Sequence, residues 1–401
     1  MVPMTIVPNE QDKRQALAQD NLAASPQKAS GTKSNQNIGP GTDQTSNAVK
    51  HHRQTVLSAK ESPGDQAVEF TLRPKTLGEY IGQEKLKEWL TVSIEAAKSR
   101  GDALDHVLFY GPPGLGKTTL ARVIANEMGA RIYTTSGPAL ERPRDILGLV
   151  HQLQQNDVLF IDEIHRLSHI AEELLYPALE DFVIDLNAGK GAGTRTMRLP
   201  LPKFTLVGAT TRAGSIANAL RDRFGFVCRL NFYTQDELGR IISRTASLMK
   251  LELMDSAVKL IAARARGTPR IANRLIRLVR DYSQYKGSVT LTTELAEEAL
   301  NIYQVDQLGL DHTDRKLLEI LIDQYNGGPV GLETIAATLG EDSTTVEEVC
   351  EPFLIQQGFL QRTARGRVAT PLAYKHLNRE HKGSDLPLFP YLNNQQRVDD
   401  I

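Results

Sequence analysis

Cysteine is nearly absent: Cys228 and Cys350 are the only two in 401 residues. They stand in unrelated contexts without metal-ligand spacing, which excludes a disulfide framework and a zinc site, and both read as buried or inert thiols. No apolar run approaches the roughly 20 residues that cross a bilayer. The N-terminus lacks the apolar stretch and small-residue cleavage site of a secretion signal. A soluble, reducing, cytoplasmic setting without membrane attachment is the expectation. Net charge is lacking too, because 47 Lys and Arg nearly cancel 48 Asp and Glu. Any surface for a polyanion must therefore be a local patch. The single tryptophan, Trp89, and the scattered histidines form no motif and read as packing or surface residues.

The length accommodates roughly two to three domains. Residues 1–66 are dominated by Gln, Asn, Ser, Thr, Ala, Lys and Gly and have no periodic apolar face able to offset the entropy of ordering, so they read as a disordered tail. From Phe70 the segment LRPKTLGEYIGQEKLKEWL runs into an amphipathic helix. The apolar run His106–Tyr110 then stops at glycine, a strand feeding a loop. TTLARVIANEMG follows with helical spacing and ends on Gly129, a helix-capping residue. Further short apolar runs at Val158–Ile161 and Phe204–Val207, separated by helices and loops, predict an α/β domain over 67–233 with a parallel sheet covered by helices. Residues 234–310 contain no comparable strand and predict a small all-helical domain. Over 311–380, three helices followed by two short strands around Ala364-Arg365-Gly366 predict a winged helix. Residues 381–401 read as a loosely held tail.

Chemistry concentrates at Gly111-Pro112-Pro113-Gly114-Leu115-Gly116-Lys117-Thr118. This fills the GxxxxGK[ST] pattern in the context it demands, after a strand and opening a helix. Such a loop turns successive backbone N–H groups onto phosphates, with Lys117 reaching the β/γ-phosphates and the Thr118 hydroxyl ligating magnesium. About 40 residues on, an apolar strand ends in Asp162 and Glu163, the arrangement a P-loop sheet uses for metal and water. Asp162 is expected to face the metal. Glu163 is expected to polarise the attacking water as general base, the residue that separates hydrolases from kinases and simple switches. Thr211, at the end of the run beginning at Phe204, is the candidate polar sensor between these two motifs.

The phosphate loop, DEIHRL, GATTRAG, LRDRFG and GTPRIANRL, in this order, resemble the AAA+ ATPases, and more narrowly the branch-migration motors that act on Holliday junctions. The resemblance covers about residues 67–380. It implies ATP and magnesium as ligands and a homohexameric ring around double-stranded DNA at four-way junctions. Leu72 and Arg73 would border adenine and ribose. Gly114, Lys117, Thr118 and Thr119 would hold the phosphates, and Glu180, Asp181, Phe182 and Tyr233 would complete the nucleotide site. Arg223 looks like the arginine finger that enters the neighbouring subunit's site, and Arg270 matches the second sensor in the helical domain. Phe182–Leu186 and Arg195–Leu199 could pair as a hairpin around a glycine-rich tip at Ala188–Thr194, in the family the contact for the junction-binding partner RuvA. The resolvase RuvC is a further implied partner.

On the predicted wing, Arg362, Arg365 and Arg367 cluster, and the resemblance places DNA contacts at Arg362 and Arg367. Phosphate contacts of this kind are salt-sensitive and nearly independent of sequence. Two rivals share the ATPase core: a clamp loader, which would not need a winged helix, and an ATP-responsive regulator reading base edges. The second is disfavoured because the helix STTVEEVCEPFLIQQG is acidic and apolar.

Overall fold

The chain divides between Gly309 and Leu310 into two units, and the computed structural model describes residues 72–188 and 195–380. The expected tails at 1–66 and 381–401 and the glycine-rich segment from 189 to 194 lie outside the described residues.

In the first unit, Leu90, Ile94 and Ala97 recur on one face of α1 (Glu84–Arg100) and are buried, and Gly101 closes the helix in left-handed backbone. The apolar run before the phosphate loop becomes β1 (Val107–Tyr110). Helix α2 (Lys117–Met128) springs from Gly116 and stops at Gly129, φ 65°. There follow β2 (Ile132–Ser136), α3 (Pro143–Val150), β3 (Val158–Asp162) and α4 (His169–Glu180). Next come β4 (Val183–Ala188), β5 (Arg195–Pro200), β6 (Thr205–Thr210), α5 (Asn218–Arg221) and β7 (Phe226–Arg229).

Five of these strands form a parallel sheet in the order β2-β3-β6-β1-β7. Its central strands are covered on both faces, which is why they read as continuous apolar runs rather than as alternation. Sequence patterning ended the third run at Val207, but β6 stays extended and buried through Thr210. Flanked by β1 and β3, its Gly208-Ala209-Thr210 backbone gains ladder hydrogen bonds that its side chains do not advertise. Strands β4 and β5 form the expected antiparallel hairpin, in register from Val183↔Pro200 to Ala188↔Arg195.

The helices α6 (Gln235–Leu248), α7 (Asp255–Arg264), α8 (Pro269–Lys286) and α9 (Thr293–Ile302) complete the unit. Two-residue strands β8 (Glu252–Leu253) and β9 (Thr290–Leu291) pair among them. Their apolar faces join the sheet's core: Ile242, Leu275 and Leu300 belong to the same buried cluster as Leu90, Phe109 and Leu120.

The second unit has α10 (His312–Glu319) and α11 (Leu332–Leu339), then a helical run made of Ser343–Thr345, a π turn at Val346–Cys350 and α12 (Glu351–Gln356). The wing is β10 (Leu360–Thr363) and β11 (Gly366–Ala369), antiparallel, followed by α13 (Pro371–His376). Its own core centres on Leu318, Ile335, Leu354 and Phe359. Both cysteines are free, Cys350 buried and Cys228 partly so, and burial pushes the Cys228 thiol up to about 11. Among the described residues, no helix is long and apolar enough to cross a membrane.

Candidate nucleotide site

The parallel topology delivers the carboxyl ends of β1, β3 and β6 to one edge of the sheet, the edge where open α/β folds bind ligands. The loop after β1 has Gly111, Gly114 and Gly116 at φ 142°, 81° and 98°. A Cβ at Gly116 would also stand 2.8 Å from the Tyr80 hydroxyl. Glycine is required there, both for the left-handed backbone and for the close approach. The Lys117 amine is buried and donates to the carbonyls of Gly111 and Pro112, at 2.7 and 3.0 Å. Burial holds its pKa down at about 8, against the upward pull of Glu163 and Asp162.

A cavity opens over this loop, lined among others by Leu72, Arg73, Gly114, Lys117, Thr118, Thr119, Asp162, Glu163, Tyr233 and Arg270. These are ten of the positions singled out in the sequence. Arg270 opens α8, so one wall comes from the helical part. Burial, and next to it the neighbouring Glu163 charge, raises the Asp162 carboxyl above its ordinary value. Glu163 leaves the strand in left-handed backbone, φ 45°, which turns its carboxylate toward β6. There Oε2 accepts from the Thr211 backbone N–H (3.3 Å) and hydroxyl (3.2 Å), and His165 Nδ1 stands 3.1 Å away. Thr211 thus reaches the acidic strand without itself lining the cavity.

The donor set fits a nucleotide and a hard cation. The Asp162 carboxylate and the Thr118 hydroxyl line the same cavity, with a lysine whose amine bonds only backbone carbonyls. Among the described residues no group of three or more His, Cys, Asp or Glu is placed to hold a metal ion. Magnesium, which keeps several waters and takes only one or two carboxylates plus phosphate oxygens, needs none.

Tyr80, Ile81, Arg244 and Asn273 are among the lining residues that escaped the sequence reading. The Tyr80 and Tyr233 hydroxyls are 2.7 Å apart, and both lie within bonding distance of the Leu115 carbonyl. Burial pushes the Tyr233 phenol up to about 12. A Cβ at Gly82 would meet the Tyr233 ring at 2.6 Å, so glycine leaves room for that ring. Arg244 of α6 donates to the Leu72 carbonyl (2.6 Å) and to Glu79 (3.1 Å), strapping the chain before α1 over the cavity. No sequence signal marks it.

Glu180, Asp181, Phe182 and Arg223 are not brought to this cavity. They lie around the end of α4, where Arg223 pairs with Glu180 at 3.0 Å and stacks 4.5 Å above the Tyr176 ring. In the second unit, Arg362 is exposed and bonds Glu347 at 3.3 Å. Arg367, expected at a phosphate, is instead buried, gripping the buried carboxylate of Glu351 through both Nε and Nη2. Its guanidinium is thus turned to Glu351 rather than to open solvent, a pairing that an isolated stretch of sequence does not reveal.

A phosphate loop, an acidic strand end and a polar sensor on a five-stranded parallel sheet, with a helical lid lending an arginine, define an AAA+ ATPase. The family model described as Holliday junction DNA helicase RuvB P-loop domain matches residues 72–230. The RuvB AAA lid domain matches residues 233–306 and the RuvB C-terminal winged helix domain residues 307–378. The solved Thermotoga maritima RuvB Holliday junction branch migration motor is 50% identical, with TM-score 0.71 over 77% of this chain and 99% of that one. Two single-substitution variants of that protein align with TM-score 0.72 at the same identity and coverage. The chain belongs to the RuvB family, and it is an ATP-driven, nucleotide-binding motor.

Proposed function

We propose that this chain is one subunit of a homohexameric ring that hydrolyses ATP to move double-stranded DNA and drive branch migration of Holliday junctions in recombination and repair. The observation that carries the reading is the division of charge within one chain. Lys117, Asp162, Glu163 and Arg270 meet at the cavity, while Arg223 stands elsewhere with Glu180. A second copy is then needed to bring an arginine to the leaving phosphate.

In this reading Lys117 and the loop N–H groups hold the β/γ-phosphates. Thr118 and Asp162 hold magnesium, which neutralises developing charge when bound. Glu163, aligned by the Thr211 N–H and hydroxyl, accepts the proton of the attacking water, and Arg270 couples the γ-phosphate to the lid. Leu72 and Arg73, strapped by Arg244, border the base and ribose. Arg362 on the wing offers a contact to the DNA backbone. The hairpin β4–β5 leaves Met197 and Leu199 50% and 38% exposed, an apolar surface suited to the partner RuvA, with RuvC joining the assembled complex.

The test is ATP-dependent dissociation of a synthetic four-way junction, with and without RuvA. The intact chain dissociates it, whereas Lys117→Ala and Arg223→Ala do not, and Arg223→Ala still binds ATP. Hydrolysis without any junction dissociation, even with RuvA at high protein, removes the branch-migration reading.

A further inference from the structure

The wing carries three arginines, and their surroundings sort them. Arg362 and Arg367 are direct cross-strand partners in the β10–β11 register, so two like charges sit side by side on one face, a destabilising arrangement unless neutralised. The neutralising charges come from the preceding helical run. Glu347 and Glu351, four residues apart and so on one face, meet Arg362 and Arg367 respectively. Two carboxylates of that helical run are therefore turned to its own wing.

The two pairs differ in burial. The Arg367 and Glu351 side chains are 9% and 2% exposed, whereas Arg362 is 56% exposed and held by one bond. The Arg367 backbone is committed as well, exchanging hydrogen bonds with Val330 at 2.8 and 3.0 Å. A phosphate that displaced Glu351 from the Arg367 Nε and Nη2 would leave that carboxylate buried and unpaired.

Arg365 stands apart. It occupies the exposed turn between the strands, and no ion pair among the described residues uses it. The turn that carries it is stiff: the Arg365 N–H donates to the Thr363 hydroxyl (3.3 Å), which donates to the Gly366 carbonyl (2.9 Å). Gly366, at φ 138°, packs so closely on Val330 that no side chain would fit.

We propose that Arg365 makes the wing's contact to the DNA backbone, and that Arg367 is a positioning residue that locks the hairpin to the helix through Glu351. The inference rests on the DNA-motor reading above. Arg362, exposed and loosely held, joins Arg365 at the same strand of phosphates. The contact carries no base information, as a motor that must pass any sequence requires.

The experiment measures binding of the full chain to a four-way junction and to an arbitrary duplex by fluorescence anisotropy across a salt series. Arg365→Gln should weaken both about fivefold at low salt and flatten the slope of log affinity against log salt by about one per engaged wing. Its thermal midpoint should not move. The double variant Glu351→Met with Arg367→Met replaces the buried pair by apolar groups of similar volume. It should bind both DNAs like the parent, with the parent's slope. The opposite pattern, a flattened slope in the double variant and parental binding by Arg365→Gln, overturns the proposal. Should circular dichroism find the double variant unfolded, the Arg365→Gln slope alone decides. A parent chain that binds neither DNA at any salt instead removes the motor reading itself.

Discussion

Burial among the phosphate-loop carbonyls keeps the Lys117 amine at about 8, with Glu163 and Asp162 opposing the shift. The sign of the consequence follows from linkage. Below about pH 8 the amine is charged in folded and unfolded chains alike, and the cost of burying it is fully present. Between about 8 and the ordinary lysine value, the nucleotide-free fold has released a proton that the unfolded chain retains, so stability rises with pH through that window. Phosphate oxygens reverse the shift by stabilising the charged amine. ATP binding should therefore take up a proton above about pH 8, and affinity should fall as pH rises from there, by up to about tenfold per unit. Titration calorimetry near pH 9 in two buffers of different ionisation enthalpy measures the uptake directly. Parent protein with no uptake, or Lys117→Met with the same uptake, would show that another group controls the site.

The strand ends β3 and β6 act together through Glu163 and Thr211. Left-handed backbone in a non-glycine residue is costly, and here it aims Glu163 at the end of β6. Thr211→Val removes the hydroxyl donor while keeping the shape, so Glu163, the proposed general base, loses part of its registration. Turnover should drop by about ten- to a hundredfold, while ATP affinity stays within about twofold. Equal losses in both quantities would make Thr211 a binding residue instead. How much of this was legible depends on chain distance. The loop from Gly111 to Thr118, the Asp162-Glu163 pair and the capping Gly129 are local patterns, complete within a few consecutive residues, and sequence reading places them correctly. Tyr80 meets Tyr233 across 153 residues and Arg244 meets Leu72 across 172. Nothing local marks such contacts. Arg367 is another case: from its own strand it is one more basic wing residue, and only the fold brings Glu351, 16 residues back, to pair with it.

At the scale of the whole molecule, a phosphate site in one place and a finger candidate in another make hydrolysis, on the proposed reading, a property of an interface. In the proposed ring the interface is heterologous, one face giving the Lys117 cavity and a different face giving Arg223, a kind of contact that forms a ring when its rotation closes. This has a consequence that single variants cannot mimic. A Lys117→Ala chain cannot hold phosphates but still presents Arg223. An Arg223→Ala chain presents no finger but still has a complete cavity. Each alone should be inactive. Mixed in equal amounts and allowed to exchange, every interface with an Arg223→Ala cavity facing a Lys117→Ala finger is whole, about a quarter of all interfaces under random assembly of such a heterologous ring. ATPase activity should reappear on mixing, at roughly that fraction of the parent rate if sites fire independently, and lower if neighbours must fire in turn. A mixture as dead as its two components would mean that Arg223 serves its own chain, and Glu180, its partner at 3.0 Å, would then mark a surface salt bridge rather than the resting place of a trans-acting arginine.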